Sequence, residues 1–182
     1  MKILSIMTLD QEIREATREI KDFPKQGIYY KDLTPVLKNA ALSKKIANSL
    51  VENAKKLNPD AIACLEGRGF WYGMLIAQAL EIPFIPIRKV GKLPYETLSY
   101  SYSLEYGAAT MEVHSDAFKK GWKVLIHDDL LATGGTATAA AELVKMQGAE
   151  VAGFAFVVDL SFLGGKDKIA KYSPNILSIA TY

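Results

Sequence analysis

Two adjacent aspartates, Asp128 and Asp129, end an apolar run in "VLIHDDLLATGGTATAAAELV", and threonines and glycines then lead into an alanine-rich stretch. A link from strand to helix needs a turn and a cap, but it does not need two carboxylates side by side. Thr133, Gly134, Gly135 and Thr136 stand just before the helical pattern, so their backbone N–H groups and hydroxyls can wrap an anion lying on the helix N-terminus. Glycine permits the close backbone approach and positive φ that a side chain would obstruct. A monoester phosphate suits such a loop. The aspartates would repel it unless they serve something else, and two partners fit: sugar hydroxyls, which donate hydrogen bonds to carboxylates, and a divalent cation, held directly or through its waters. The stretch reads as a sugar-phosphate clamp. It is not a Walker loop, because GxxxxGK[ST] is absent and no lysine follows the glycines.

Positive charge comes from two other stretches. Arg68 lies between Gly67 and Gly69 in "LEGRGFWYG", where a guanidinium and exposed amides can grip a second anion. Arg88, Lys89 and Lys92 cluster in "RKVGKLPYE". Taken alone, that cluster reads equally well as a solvated loop end; with Arg68 and the acidic pair beside it, the anion-binding reading is preferred.

These stretches must be positioned by regular elements, and the hydrophobic pattern supplies them. "LDQEIREATREIKDF" and "LSKKIANSLVENAKKLN" carry apolar residues at helical spacing, the second with Leu42, Ile46, Leu50 and Ala54 on one face. "DAIACLE", "PFIPIRK", "WKVLIHD" and "EVAGFAFVVDL" read as strands, and "GFWYGMLIAQALEI" and "TAAAELVKMQG" as the helices between them, with Gly148 as a C-cap. Between Gly91 and His114 the pattern loosens into a loop flanked by extended segments. Alternation of β and α argues for an α/β fold, a parallel sheet with helices on both faces. In such sheets ligands bind beyond the carboxyl ends of the strands, and all three chemistry-bearing stretches fall there.

Composition narrows the class. The 182 residues fit one domain with a full core, and 22 basic against 20 acidic residues leave a net charge of +2, so bulk electrostatics give no case for nucleic acid. The one cysteine, Cys64, forms no internal disulfide, fits a reducing compartment and reads as a small buried apolar side chain. The start "MKILSIMTLDQEIRE" has too short an apolar stretch for a signal peptide, and no segment approaches the roughly 20 apolar residues of a membrane helix. A soluble cytoplasmic protein is expected. No His/Cys cluster has the spacing of a zinc site, and no Gly-x-Ser-x-Gly elbow is present.

With these residues in view, "VLIHDDLLATGGTA" closely resembles the phosphoribosyl pyrophosphate (PRPP) signature of the type I phosphoribosyltransferases. "DFPKQGIYYKDLTPVL", "EGRGFWYG", "RKVGKLPYE" and "YSLEYGAATMEVHSDAF" narrow the resemblance to the adenine phosphoribosyltransferase family, over roughly residues 22–165. It implies the type I fold in one domain over residues 1–182, with a small N-terminal hood over about residues 1–35 and a flexible catalytic loop over about 91–113. It also implies Mg²⁺-dependent transfer of ribose 5-phosphate from PRPP to adenine, giving AMP and pyrophosphate.

Carried over by position, Asp128 and Asp129 contact the ribose hydroxyls, and Ala132, Thr133, Gly134, Gly135 and Thr136 bind the 5′-phosphate. Arg68, Arg88, Lys89 and Lys92 face the pyrophosphate, Glu105 in "YSLEYG" handles the purine proton, and Tyr29 and Lys31 in "GIYYKDLTP" recognise adenine, Tyr29 through its backbone. Mg²⁺ is expected to arrive with PRPP rather than sit in a fixed protein ligand set. A homodimer is implied; Trp71 and Tyr72 read either as exposed aromatics at such an interface or as buried helix packing.

Three positions depart from the family pattern: Gly67 where serine or alanine is expected, Lys31 where many relatives have arginine, and His127 in place of an aliphatic residue, read as strand packing. Two other readings stay open at this point. One is the same chemistry on another base. The other is a PRPP-sensing module that binds without catalysing, although only about 20 residues precede the shared region and no spare recognition helix or basic face is seen.

Overall fold

In chain order the elements are α1 (Leu9–Ala16), β1 (Arg18–Lys21), β2 (Tyr29–Asp32), α2 (Thr34–Lys38), α3 (Ala40–Lys55), β3 (Ala61–Leu65), α4 (Phe70–Leu80), β4 (Phe84–Lys89), β5 (Thr97–Ser103), β6 (Ala108–His114), β7 (Lys123–Leu131), α5 (Gly135–Met146), β8 (Glu150–Asp159), α6 (Gly165–Ile169) and β9 (Ile176–Thr181). The structure is a computed structural model and describes residues 7–103 and 108–182. Seven strands form one sheet in the order β5-β6-β4-β3-β7-β8-β9, while β1 and β2 form a separate antiparallel pair. From β4 to β9 all neighbours are parallel; β5 and β6 add an antiparallel edge.

Period-2 alternation sends successive side chains to opposite faces of the sheet, and each face has its own core. Leu125 joins Leu42, Ile46, Leu50 and Ile76 of α3 and α4 on one side. Ile126, Phe154 and Phe156 join Ala140 and Leu143 of α5 on the other. Every residue of β3 is buried, as a strand covered on both faces requires. Helix α3 shows why the pattern was readable: Leu42, Ile46, Leu50 and Ala54 are all buried, and the Asn39 side chain caps it by accepting from Leu42 N at 3.1 Å. Burying each of its two leucines and Ile46 contributes about 1.5–3 kcal/mol.

The first helix is shorter than the pattern predicts. It stops at Ala16, Thr17 turns extended, and Arg18–Lys21 pairs with Tyr29–Asp32 instead of continuing the helix. A cross-strand partner decided what local periodicity could not. Tyr72 is not exposed either: it is 2% accessible, with its hydroxyl 3.1 Å from Ser43 Oγ, and Trp71 is partly buried. The helix phase places Met74 and Leu75 outward instead. Helices α2 and α6 and strand β9 were not anticipated; β9 covers the edge of β8. Among the described residues no helix is long and apolar enough to cross a membrane.

Candidate functional site

Parallel pairing brings the three loops to one rim. Cys64 stands opposite His127 and Leu65 opposite Ile87, so β3, β4 and β7 end at the same level. Strand β7 runs beyond the expected end, through both aspartates to Leu131, which makes the acids part of a paired strand rather than of a loop. Asp129 is 1% exposed and Asp128 is partly exposed; Asp129 N donates to Asp128 Oδ1 at 2.9 Å. The buried Oδ2 of Asp129 has no hydrogen bond of good geometry, and its near neighbour is Arg68 Nε at 3.2 Å.

Burial, with the charge of Asp129 adding to it, pushes the Asp128 carboxyl well above its ordinary 3.8. Burial also raises Asp129, against the opposing pull of Arg68. Two carboxylates this costly to ionise are suited to receiving hydrogen-bond donors or a cation, either of which favours their charged form.

The glycine loop follows directly. Gly134 is left-handed, with φ of 74°, and α5 starts at Gly135 with no side chain capping its first turn. Its leading N–H groups are therefore available to a ligand, and the macrodipole favours a negative one. Arg68, Asp128, Thr133, Gly135 and Thr136 help line a cavity of about 170 Å³, the volume of several waters. A larger groove of about 520 Å³ lies between Leu57, Phe154 and Asn175 near the start of β9, but neither an acid nor an arginine lines it. Size points to that groove; chemistry points to the rim, and the rim is the better guide.

Arg68 is the hinge of the arrangement. Besides reaching Asp129, its NH1 donates to Tyr30 Oη at 2.8 Å, and the guanidinium lies 5.4 Å from the centre of that ring. A Cβ on Gly69 would fall 2.6 Å from the Leu65 carbonyl and 2.9 Å from that of His127, so only glycine lets the loop turn this closely over the strand ends. Gly67 faces open space, and the Glu66–Gly67 peptide is cis.

The other cations are placed differently from Arg68. Arg88 donates to Glu66 Oε2 at 2.6 Å and to the Lys92 carbonyl at 2.7 Å, so its guanidinium ties two loops together. Lys89 and Lys92 are exposed. The Lys92 and Leu93 N–H groups both donate at 2.9 Å to Glu112, a carboxylate 3% exposed. Burial alone would raise Glu112; the backbone N–H groups of Leu93, Gly91 and Lys92 outweigh it and hold the carboxyl below its ordinary 4.5.

On the N-terminal side the expectations meet a changed picture. Tyr29 is 52% exposed, and it is Tyr30 that reaches Arg68. The Lys31 ammonium pairs with Glu19 and lies 4.3 Å from the centre of the Tyr182 ring. Glu105 lies outside the described residues. His127 is fully buried; its Nδ1–H donates to the Ala155 carbonyl at 2.8 Å, and burial lowers its pKa to about 4. Neutral at ordinary pH, it adds no charge beside the aspartates.

Sequence reasoning missed four residues here. Glu66 and Glu112 anchor the cationic loops, Tyr30 holds Arg68, and Tyr102 lays its ring against Gly135 with its hydroxyl 3.2 Å from Thr136 Oγ1. Alternation in "YYKD" does separate the face of Tyr30 from that of Tyr29, a signal that was available. The other three depend on pairing across the fold and carry no local mark.

The sheet order, the acid pair and the uncapped glycine loop define a class, and the family described as "Phosphoribosyl transferase domain" matches residues 30–176. The adenine phosphoribosyltransferase of Cytophaga hutchinsonii is 51% identical over 174 residues, 96% of each chain. The crystal structure of the Thermoanaerobacter pseudethanolicus adenine phosphoribosyltransferase superposes with a TM-score of 0.91 at 46% identity, covering 96% of this chain and 100% of that one. The Saccharomyces cerevisiae adenine phosphoribosyltransferase, complexed with D-2,5-dideoxy-2,5-imino-altritol 1,6-bisphosphate and adenine, gives 0.84 at 36% identity over 94% of this chain and 98% of that one. The chain belongs to the adenine phosphoribosyltransferase family.

Proposed function

We infer that this chain transfers the 5-phosphoribosyl group of PRPP to adenine, releasing AMP and pyrophosphate. The observation that carries the reading is the placement of Asp128 and Asp129 at the end of β7, beside the uncapped start of α5 and across from Arg68. Displacement at C1′ builds positive charge on the ribose and negative charge on the departing pyrophosphate. Carboxylates therefore belong at the sugar and cations at the leaving group, and the rim offers both, with Arg68 3.2 Å from Asp129 before any ligand comes between them.

In this reading Asp128 and Asp129 accept from the ribose hydroxyls. Ala132, Thr133, Gly134, Gly135 and Thr136 hold the 5′-phosphate through backbone N–H groups and hydroxyls. Arg68 faces the pyrophosphate, with Lys89 and Lys92 as exposed ammonium groups beyond it. Arg88 serves the same end by fixing the loop of Lys92 through the Lys92 carbonyl. Glu105 takes the purine proton as the nitrogen attacks; Glu105→Leu should then lower turnover much more than PRPP affinity, and unchanged turnover would remove that role. Adenine is read by the β1–β2 hood, through the Tyr29 backbone, with Lys31 acting from beside Tyr182.

Mg²⁺, when bound with PRPP, supplies charge neutralisation on the leaving group. The hard oxygens of Asp128 and Asp129 suit such an ion or its waters. Among the described residues no cluster of three or more His, Cys, Asp or Glu side chains gathers to cage one. The same reading makes residues 1–182 one working domain in the cytoplasm. It also pairs two chains, with the outward Met74 and Leu75 of α4 as the apolar face that a second copy would cover; light scattering that gives a monomer at micromolar concentration rules the pairing out.

The decisive experiment supplies purified protein with Mg²⁺, PRPP and each of adenine, guanine, hypoxanthine, xanthine and orotate, following nucleotide and pyrophosphate together. AMP from adenine is expected. Turnover of another base instead would overturn the specificity, and PRPP binding without turnover would make the chain a sensing module.

A further inference from the structure

The 5′-phosphate loop is in backbone contact with a turn that sequence reasoning assigned no role. A Cβ on Gly165 would fall 2.2 Å from the Ala132 carbonyl oxygen, and one on Gly134 would fall 2.9 Å from the Gly165 carbonyl oxygen. The two backbones press together with no side chain between them, so a shift of the turn is passed on to the loop. The turn leads into α6, a helix of five residues that is too short to hold its own geometry.

Ile169, fully buried in the core, anchors one side of it, and Lys166 ties down its start. The Lys166 ammonium is 2.9 Å from Asp159 Oδ2 and donates to Ser178 Oγ at 3.0 Å. Asp159 ends β8 and its side chain is 1% exposed; neither of its carboxylate oxygens has another hydrogen-bond partner among the described residues. Ser178 lies on β9. A carboxylate buried this way depends on its counter-charge, which here comes from a Lys166 side chain that is 41% exposed. Lys166 thus fastens α6 to β8 and β9 right behind the glycine turn.

We propose that Lys166, through Asp159 and Ser178, is a positioning residue for PRPP: it fixes the turn at Gly165 against Ala132–Gly134 and so pre-arranges the amides that receive the 5′-phosphate. The proposal rests on the reading of residues 132–136 as the phosphate loop. Pre-arrangement lowers the ordering that binding would otherwise require, so its loss should appear in binding of the phosphosugar ahead of turnover.

Removing Lys166 alone would strand a buried charge and risk unfolding, so the test uses the double variant Asp159→Asn/Lys166→Met, which removes both charges, and Lys166→Arg, which keeps the pair. Steady-state kinetics are measured with PRPP, adenine and Mg²⁺, and calorimetry follows ribose 5-phosphate binding. In the double variant the KM for PRPP and the Kd for ribose 5-phosphate should rise about tenfold, while the KM for adenine and kcat stay within about threefold of the parent and Lys166→Arg stays near it. Unchanged PRPP and ribose 5-phosphate affinities overturn the proposal, as does a parallel loss in kcat and in both KM values, which marks general loosening. If the parent itself binds no ribose 5-phosphate and forms no AMP, the site reading falls and takes this proposal with it; an active parent beside an unaffected variant sinks this proposal alone.

Discussion

The ribose-phosphate side of the rim rests on β7 and α5, whose residues are mostly buried, whereas the hood that carries Tyr29 and Lys31 is a two-stranded pair with most of its residues near the surface. On the first side, function sits in strand ends and backbone amides that the sheet holds in place. On the second it hangs from a few side-chain links: Arg68 to Tyr30, and the Lys31 ammonium over the Tyr182 ring. On the proposed reading, groups that meet a phosphoribosyl unit whatever the base are built into the core, and groups that would meet the base are fastened to it from outside, where fastenings are easier to alter without unfolding the sheet.

The comparison predicts its own sharpest break. Asp128→Asn should lower kcat/KM by about 10²–10³-fold, the scale of a lost transition-state contact, and yet raise the melting temperature of the free protein at neutral pH. The sign follows from the raised folded-state pKa. At neutral pH the folded protein bears the cost of an ionised, partly buried carboxyl beside Asp129 that the unfolded chain does not. As pH falls through the raised value that cost declines, and near the ordinary 3.8 both states are protonated and the advantage of Asn is gone. Activity loss without this pH-dependent stabilisation would show that the site stores no such electrostatic cost.

A smaller loss is expected within the same half from Gly134→Ala. Gly134 combines a φ of 74° with the Gly165 carbonyl 2.9 Å from where a Cβ would be, so alanine must displace backbone on one side or the other. The KM for PRPP should rise about tenfold to a hundredfold with the KM for adenine nearly constant. A matching rise for adenine would mean that the two halves are not separable.

Legibility in the sequence divides along the same line. Strands β3, β4, β7 and β8 were readable as short apolar runs, α3 by its periodic buried face and α4 and α5 as the apolar helical stretches between strands, and the acid pair and glycine loop were readable because their chemistry is contiguous. The hood was not. Arg18–Lys21 looks helical on local evidence and becomes a strand only because Tyr29–Asp32 lies beside it. Glu112 is informative only once β6 brings it under the loop at Lys92, and Tyr102 only once β5 crosses the start of α5. Such residues declare themselves through partners far away in the chain, about which a single sequence is silent.

The hood side offers a gentler test. Tyr30→Phe keeps the ring packed against Phe23 but removes the hydroxyl that accepts from Arg68. Losing one hydrogen bond to a charged donor should raise the KM for adenine about threefold to tenfold while the KM for PRPP moves less. If PRPP is the substrate more affected, Arg68 uses Tyr30 to address the pyrophosphate, and the division between halves runs through Arg68 itself.

The smallest effect on turnover is expected at His127, which lies one residue before the acid pair but is bonded to the neighbouring strand β8. Its ring is fully buried, and its Nδ1–H is committed to the Ala155 carbonyl. His127→Leu should leave the rate at neutral pH within about twofold, since a neutral ring contributes no field to the aspartates. Stability should respond instead. The folded-state pKa of about 4 lies below the ordinary 6.5, so in the parent the unfolded chain takes up a proton first as the solution is acidified, and stability contributed by the neutral ring is lost from 6.5 down to about 4. His127→Leu cannot lose it, so its melting temperature should gain on the parent's across that window and hold a steady difference above it. A difference independent of pH would mean that the ring keeps its proton on folding. The residue beside the aspartates would then have to be treated as a charged member of the site.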